Sequence, residues 1–263
     1  MDAHQLSRQL RLNTLALHRR AQAGHVGSSL SCIELLAASL VLEKRPDEVF
    51  ILSKAHAALA LYTCLHHLGE LSDHDLQTVS RDGTRLPAHP APLQFPSVPF
   101  GLGSLGHGLP IAAGIAKADQ LAGHQRLTFV LVSDGETNAG TTWEAAHFST
   151  AHRLDGLVVL VDRNGLQGFG PCHQVLGDTA HPENWRQLGF EVVEADGHHL
   201  PRLVEHLQAL RRSRDGRPKA LIANTIKGCG VSYMEHQLQW HYLPMNDEQY
   251  QQAREDVLAR RLF

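Results

Sequence analysis

Leu127-Thr-Phe-Val-Leu-Val-Ser133 runs into Asp134-Gly135, and Leu157-Val-Val-Leu-Val161 runs into Asp162-Arg163-Asn164; these two stretches decide the fold. Each is an apolar run of strand length, and a helix-length segment, Thr141 to His152, lies between them. This is a strand–helix–strand unit, a crossover that joins parallel strands. Asp134 and Asn164 then stand at the carboxyl ends of the strands, which in an open α/β sheet lie side by side and face the ligand crevice.

Outward from this unit the alternation continues. Leu10, Leu12, Leu15 and Leu17 have helical spacing within Leu6 to Ala21. A Gly-His-Val-Gly-Ser-Ser loop follows, then a second helix from about Ser31 to Leu42. Ser53 can cap a third helix carrying Leu59, Leu61, Tyr62 and Leu65. Residues 87–99 hold five prolines and read as extended and non-helical. The glycine-rich stretch Gly101 to Gly108 opens a helix reaching about Leu121. Further strands are expected at Phe190–Ala195 and Ala220–Thr225, with a helix at Pro201–Arg211 between them. Short connections and no linker predict one α/β domain over residues 1–263, a parallel sheet with helices on both faces.

The formal net charge of −3 argues against a polyanion binder, so nucleic acid is not an expected partner. The basic stretch Arg211 to Lys219 contains Gly216 and Pro218 and reads as a solvated helix-to-strand loop. Cys32, Cys64, Cys172 and Cys229 form no CxxC pair, which favours free thiols in a reducing cytosol. The amino terminus lacks the apolar core of a signal peptide, and no apolar run approaches membrane-spanning length. A cytoplasmic location without membrane contact is the expectation.

A carboxylate and an amide oxygen converging at two strand tips suit Mg²⁺, or Ca²⁺ or Mn²⁺ in its place. The expected ligands are the Asp134 carboxylate, the Asn164 side-chain oxygen and the backbone carbonyl of Leu166, with diphosphate oxygens and a water completing the shell. The alternative is two unrelated turns, Asp-Gly and Asn-Gly. Gly101-Leu-Gly103-Ser-Leu-Gly106 matches G-x-G-x-x-G, but a proline-rich segment precedes it and no acidic residue follows at the right place, so nicotinamide dinucleotide binding is rejected. Gly103 and Leu105 can still present backbone N–H groups to phosphate; a glycine-rich lead into a helix without a ligand is the competing reading. His25, His56, His89 and His241 sit in loop-like contexts and suit proton transfer or hydrogen bonding to hydroxyls or phosphate, although any one of them could be an ordinary surface histidine. His107 is ambiguous. Glu144 reads as a solvated helix acid and Trp143 as core or interface.

Taken together and in order, Gly24-His-Val-Gly-Ser28, Ser53-Lys-Ala-His-Ala57, Gly103-Ser-Leu-Gly-His-Gly108, Ser133-Asp-Gly-Glu136, Trp143-Glu-Ala-Ala146, Asp162-Arg-Asn-Gly-Leu-Gln167, Lys227-Gly-Cys-Gly-Val231 and Trp240-His241 resemble the amino-terminal part of a transketolase, up to about Leu243. The resemblance implies a thiamine diphosphate-binding fold, specifically the diphosphate-binding domain. It implies metal binding by Asp134, Asn164 and the Leu166 carbonyl. His56, Gly103, Leu105, Gly135, Asn164 and His241 would contact the cofactor, and His25, His89 and His241 would serve the substrate as catalytic residues. The implied activity is transfer of a two-carbon ketol unit from a ketose to an aldehyde, on sugars or sugar phosphates. The chain stops before the family's pyrimidine-binding domain, which carries the activating glutamate. The expectation is therefore a split enzyme, active only with a carboxyl-terminal partner subunit, in an α₂β₂ assembly.

Several positions depart from the family pattern. Ser133 replaces a glycine, Ala55 a glycine and Val26 a proline, and His107 stands for glutamine. Ala139 stands for a glutamate that joins active sites, and Tyr242 for a glycine near the substrate channel. These suggest a specialised relative. The alternatives are another thiamine diphosphate enzyme acting on 2-oxoacids and a non-catalytic scaffold of the same fold.

Overall fold

The computed structural model describes residues 2–260. Five strands form its centre: β1 (Val49–Leu52), β2 (Thr128–Ser133), β3 (Leu157–Arg163), β6 (Glu191–Asp196) and β7 (Lys219–Asn224). They make one sheet in the order β1-β2-β3-β7-β6, with every pair parallel. Two residue pairs, β4 (Leu166–Gln167) and β5 (Gly170–Pro171), form a separate small hairpin beyond β3.

Side chains on a strand alternate between faces, so each central strand feeds two cores. Phe129, Leu131, Val158, Leu160 and Leu221 join one core with helices Ala3–Ala21, Ala58–His67 and Leu200–Arg212. Val130, Val132, Val159, Val161 and Ile222 join the other with helices Gly108–Ala122 and Gly140–Ala151. Fully burying one such aliphatic side chain contributes about 1.5–3 kcal/mol. This is why apolar runs with no polar alternation become central strands covered on both faces, as the sequence indicates.

Several local expectations are corrected. Strand β1 is not among the expected strands; with four residues directly after the charged stretch Glu43–Glu48 it gives a weak periodic signal. The segment after Gly24 is not a loop throughout, because Val26–Ser31 is already helical and the path continues through Ile33–Leu36 and a π-helical Ala37–Glu43. Ser53 does not cap the helix that follows it: Ala55–Ala57 forms a 3₁₀ turn before the helix Ala58–His67, and the Ser53 hydroxyl is engaged by Glu136. The stretch from Arg211 is only partly a solvated loop. Arg211 pairs with Glu48, and Lys219 opens β7 with its ammonium bonded to the Asp155 carbonyl at 2.6 Å. Besides the short Asp73–Gln77 and Cys172–Val175, two longer helices, Pro182–Gln187 and Asp247–Ala259, lie outside the expected elements. The latter is closed by an Asn246/Gln249 capping box and packs Ala253 and Val257 against Leu15.

The four cysteines are free and buried. Among the described residues no helix is long and apolar enough to cross a membrane.

Candidate active site

The register pairs Ser133 with Asp162, so the chains leave β2 and β3 at the same level. Asp134 N–H extends the ladder by donating to the Asp162 carbonyl at 3.1 Å. The Asp134 carboxylate accepts from Gly135 N–H at 2.8 Å and from Gly165 N–H at 2.5 Å. Gly165 stands at φ +81°, a left-handed turn that glycine adopts without strain and that folds Asn164 and Leu166 back toward Asp134. The Asn164 side-chain oxygen accepts from Leu166 N–H at 3.1 Å, which fixes its orientation. The Cys172 thiol lies against the same carboxylate; burial, and then Asp134, push its pKa up.

Burial, and next the negative charge of Asp162, push the Asp134 carboxyl up to about 6. A carboxylate held this way is stabilised by any cation that reaches it. Among the described residues no three His, Cys, Asp or Glu side chains gather as a metal site. A cation here would therefore depend on one carboxylate, one amide oxygen, backbone oxygen and a ligand's own oxygens. That donor set suits a hard cation such as Mg²⁺ and no soft one.

Lys227 closes the other wall. Its buried ammonium donates to Ser28 Oγ at 3.1 Å, the Leu166 carbonyl at 3.1 Å and His241 Nδ1 at 3.0 Å. Burial, then repulsion from Lys54, bring its pKa down to about 8. Because Nδ1 accepts from an ammonium, the His241 proton must sit on Nε2, leaving an N–H donor. The Leu166 carbonyl keeps a second lone pair and can serve a cation beside Lys227.

Three imidazoles cluster: His25 lies 5.1 Å from His56 and 4.9 Å from His241, centroid to centroid, and His56 lies 5.9 Å from His241. Burial, then Lys227, lower His25 to about 4 and His241 to about 3; burial, then Lys54, hold His56 well below its ordinary value. All three are neutral at pH 7. His25 stands at φ +63°, a left-handed conformation that costs a non-glycine residue about 1–2 kcal/mol, and its N–H donates to the His241 carbonyl at 3.1 Å. Two buried polar atoms here, His25 Nδ1 and Gln167 Nε2, have no hydrogen-bond partner among the described residues. Unpaired groups of this kind are expected where a ligand completes them.

The glycine-rich loop is fixed from below. The buried Glu136 accepts from the Ser53 hydroxyl and, at 2.8 Å, from Gly106 N–H, while Ser53 Oγ accepts from Gly108 N–H at 3.1 Å. A Cβ on Gly108 would meet Ser53 Oγ at 2.2 Å, so only glycine fits.

These elements surround one pocket of about 360 Å³. Every site residue expected from sequence lines it: His25, His56, His89, Gly103, Leu105, Asp134, Gly135, Asn164, Leu166 and His241. His107 does not; it is exposed, with Nδ1 near the Ser104 carbonyl. Glu144 is exposed, as read, and the half-buried Trp143 packs on Trp185. Sequence reasoning assigns no role to Lys227, Ser28, Gln167 or Phe169, which also line the pocket. Lys227, Ser28 and Gln167 lie within stretches that carry the family resemblance, and that is the available signal.

The chain matches the family described as "Transketolase, thiamine diphosphate binding domain" over residues 3–258. It is 34% identical over 253 residues to a protein of Actinobacillus succinogenes named as one of the subunits of an apulose-4-phosphate transketolase, covering 92% of this chain and 91% of that protein. It is 32% identical over 262 residues to the 6-deoxy-6-sulfo-D-fructose transketolase subunit SqwG of a Clostridium species, covering 96% and 95%. The fold superposes on the transketolase of Campylobacter jejuni with a TM-score of 0.87 at 25% identity, covering all of this chain and 44% of that one. For the transketolase of Leishmania mexicana the TM-score is 0.88 at 23% identity, and this chain spans 42% of it.

Proposed function

This chain belongs to the transketolase family as its thiamine diphosphate-binding domain, and from that premise we propose that it is the diphosphate-binding subunit of a two-component, Mg²⁺-dependent ketol transferase that acts only with a carboxyl-terminal partner subunit. The observation that carries the reading is the convergence of the hard-oxygen tips of β2 and β3, the neutral histidines and two unpaired polar atoms on one pocket. The length match to relatives named as subunits supports the division of labour. An α₂β₂ assembly and a cytoplasmic location are part of the same proposal.

Asp134, Asn164 and the Leu166 carbonyl would hold the metal, and Lys227, His56, Gly135 and the backbone at Gly103 and Leu105 the diphosphate. Thiamine diphosphate, when bound, supplies the electron sink for breaking and forming a carbon–carbon bond beside a carbonyl. The protein supplies orientation, a water-poor site and protons. His241 offers Nε2–H to a substrate oxygen, and His25 Nδ1 is free to accept from or donate to a hydroxyl. His89, exposed at the pocket's rim, reaches the same region. As neutral imidazoles His25 and His241 move protons without placing a charge in the pocket.

The test is to purify the chain with a partner containing a pyrimidine-binding domain. Mg²⁺-dependent thiamine diphosphate binding is measured by calorimetry, and turnover with ketose donors is compared with turnover with 2-oxoacids. Ketol transfer by the pair and none by this chain alone is expected. Turnover only with a 2-oxoacid, or full activity of the isolated chain, overturns the proposal, and absence of cofactor binding by the pair returns the scaffold reading.

A further inference from the structure

Resting on the ketol-transfer reading, we propose that Tyr242 is a specificity-determining residue whose ring, tied to Gly168, forms a strap at the histidine end of the pocket and limits the length of sugar chain that reaches His25, His89 and His241. The Tyr242 hydroxyl donates to the Gly168 carbonyl at 2.6 Å. This bond links the segment carrying His241 to the loop carrying Leu166, two walls of the pocket that are otherwise joined through Lys227. The ring stands edge-on to His241 with centroids 4.8 Å apart.

Three observations give the strap a purpose beyond packing. First, Tyr242 is 56% exposed, so it adds little to the core, yet its tip is pinned. Second, its main chain is wedged: Tyr242 N–H donates to the Gln239 carbonyl at 3.0 Å, and a Cβ on Gly24 would meet the Tyr242 carbonyl oxygen at 2.5 Å. Third, Gly168 does not occupy the left-handed region, so its backbone does not call for glycine. A Cβ there would instead lie 2.7 Å from the Tyr242 hydroxyl and 3.4 Å from His241 Nε2. Gly168 and Tyr242 are therefore a matched pair, one giving up the volume that the other fills.

The chemistry says which part of the substrate feels this. In ketol transfer the two-carbon unit is the same for every donor. Discrimination by size must fall on the rest of the sugar, which extends from the reacting carbons toward the pocket mouth. A pinned ring at that end favours short or unbranched acceptors over long ones.

The experiment compares acceptors in the complex with the partner subunit, using glycolaldehyde against a five-carbon aldose. In Tyr242→Gly the ratio of kcat/KM for the long over the short acceptor is expected to rise about tenfold, the scale on which a pocket wall discriminates size. Tyr242→Phe keeps the ring but frees its tip and should raise the ratio less. Gly168→Ala displaces the phenol from the other side and should move the ratio in the same direction. Added to Tyr242→Gly, it should add nothing. An unchanged ratio in both Tyr242→Gly and Gly168→Ala overturns the inference. A second readout needs no turnover: the rate at which diethyl pyrocarbonate modifies His25 and His241 in the full chain, followed by peptide mass spectrometry with the exposed His147 as reference. Several-fold faster modification in both variants supports the strap, and equal rates overturn it. If the wild-type pair transfers no ketol group, the functional reading fails while this second measurement still decides the strap.

Discussion

Asp134 and Asp162 end neighbouring strands, and each has a buried lysine close by, yet the two pairs are built oppositely. Asp162 is closed. It accepts from Lys54, from Ser31 Oγ at 2.6 Å and from Thr225, and the Lys54 ammonium also donates to the Ser28 carbonyl at 2.9 Å. Burial alone would raise the Asp162 pKa, but Lys54 and these hydroxyls hold it below the usual carboxylate range. Asp134 is open. It accepts from two backbone N–H groups, makes no ion pair with any described residue, and its pKa rises to about 6, while Lys227 is lowered to about 8. A saturated buried pair makes each partner costly to remove, because the other is left as an uncompensated buried charge. An acid without a cation, facing a lysine whose three N–H donors go to uncharged acceptors, is poised for a cation and an anion that arrive together.

The difference predicts opposite mutant phenotypes, and these are the largest effects expected. Asp134→Ala should weaken Mg²⁺-dependent thiamine diphosphate binding by more than about 100-fold in calorimetry of the complex. It should leave chemical denaturation within about 1 kcal/mol of wild type, because it removes a group that burial disfavours. Asp162→Ala strands a buried Lys54 and should cost about 3–5 kcal/mol of stability in the same denaturation experiment. Equal destabilisation by both, or unaltered binding in Asp134→Ala, would erase the distinction.

How legible this was in the sequence follows from where the contacts lie. The open acid could be read directly, because Asp134 and Asn164 punctuate continuous apolar runs and parallel pairing places such positions side by side. The closed pair could not. Lys54 reaches Asp162 across more than a hundred residues, and nothing in Ser53-Lys-Ala-His56 distinguishes a lysine that enters the core from one on the surface. Ser53 misleads for a related reason: its residue type suits a helix cap, but tertiary packing gives its hydroxyl to Glu136. Strand β1 is too short for periodicity to register, and Tyr242 is legible only as added bulk, its bond to Gly168 being a property of the fold.

The pH response separates the two acids next. Asp134 has a raised folded pKa, so its contribution to stability is fully present below its unfolded value and is lost as pH rises through about 6. Metal-free protein should therefore lose stability from this group between roughly pH 4 and 6, by at most about 3 kcal/mol, and Asp134→Asn should flatten that part of the profile. Asp162, lowered, has the opposite sign: its contribution is present above its unfolded value and is lost as pH falls through its folded pKa, so the Asp134 window lies above the Asp162 one. Mg²⁺ with thiamine diphosphate should reverse the Asp134 slope by selecting the ionised form, and a slope that ignores the pair of ligands contradicts the open-site assignment.

The smallest effect is the most discriminating for the proposed third metal ligand. If Leu166 acts through its carbonyl, its side chain is dispensable for the metal, and Leu166→Ala should change half-saturation by Mg²⁺ less than about threefold. Lys227→Met offers the contrast, since the Lys227 ammonium bonds that carbonyl at 3.1 Å. Its removal frees the oxygen for the cation but takes a positive charge from the diphosphate end. Mg²⁺ affinity measured without cofactor should then rise or hold, while affinity for thiamine diphosphate falls. A parallel fall in both would mean that Lys227 holds the loop rather than the ligand, and that the open wall is less open than its hydrogen bonds indicate.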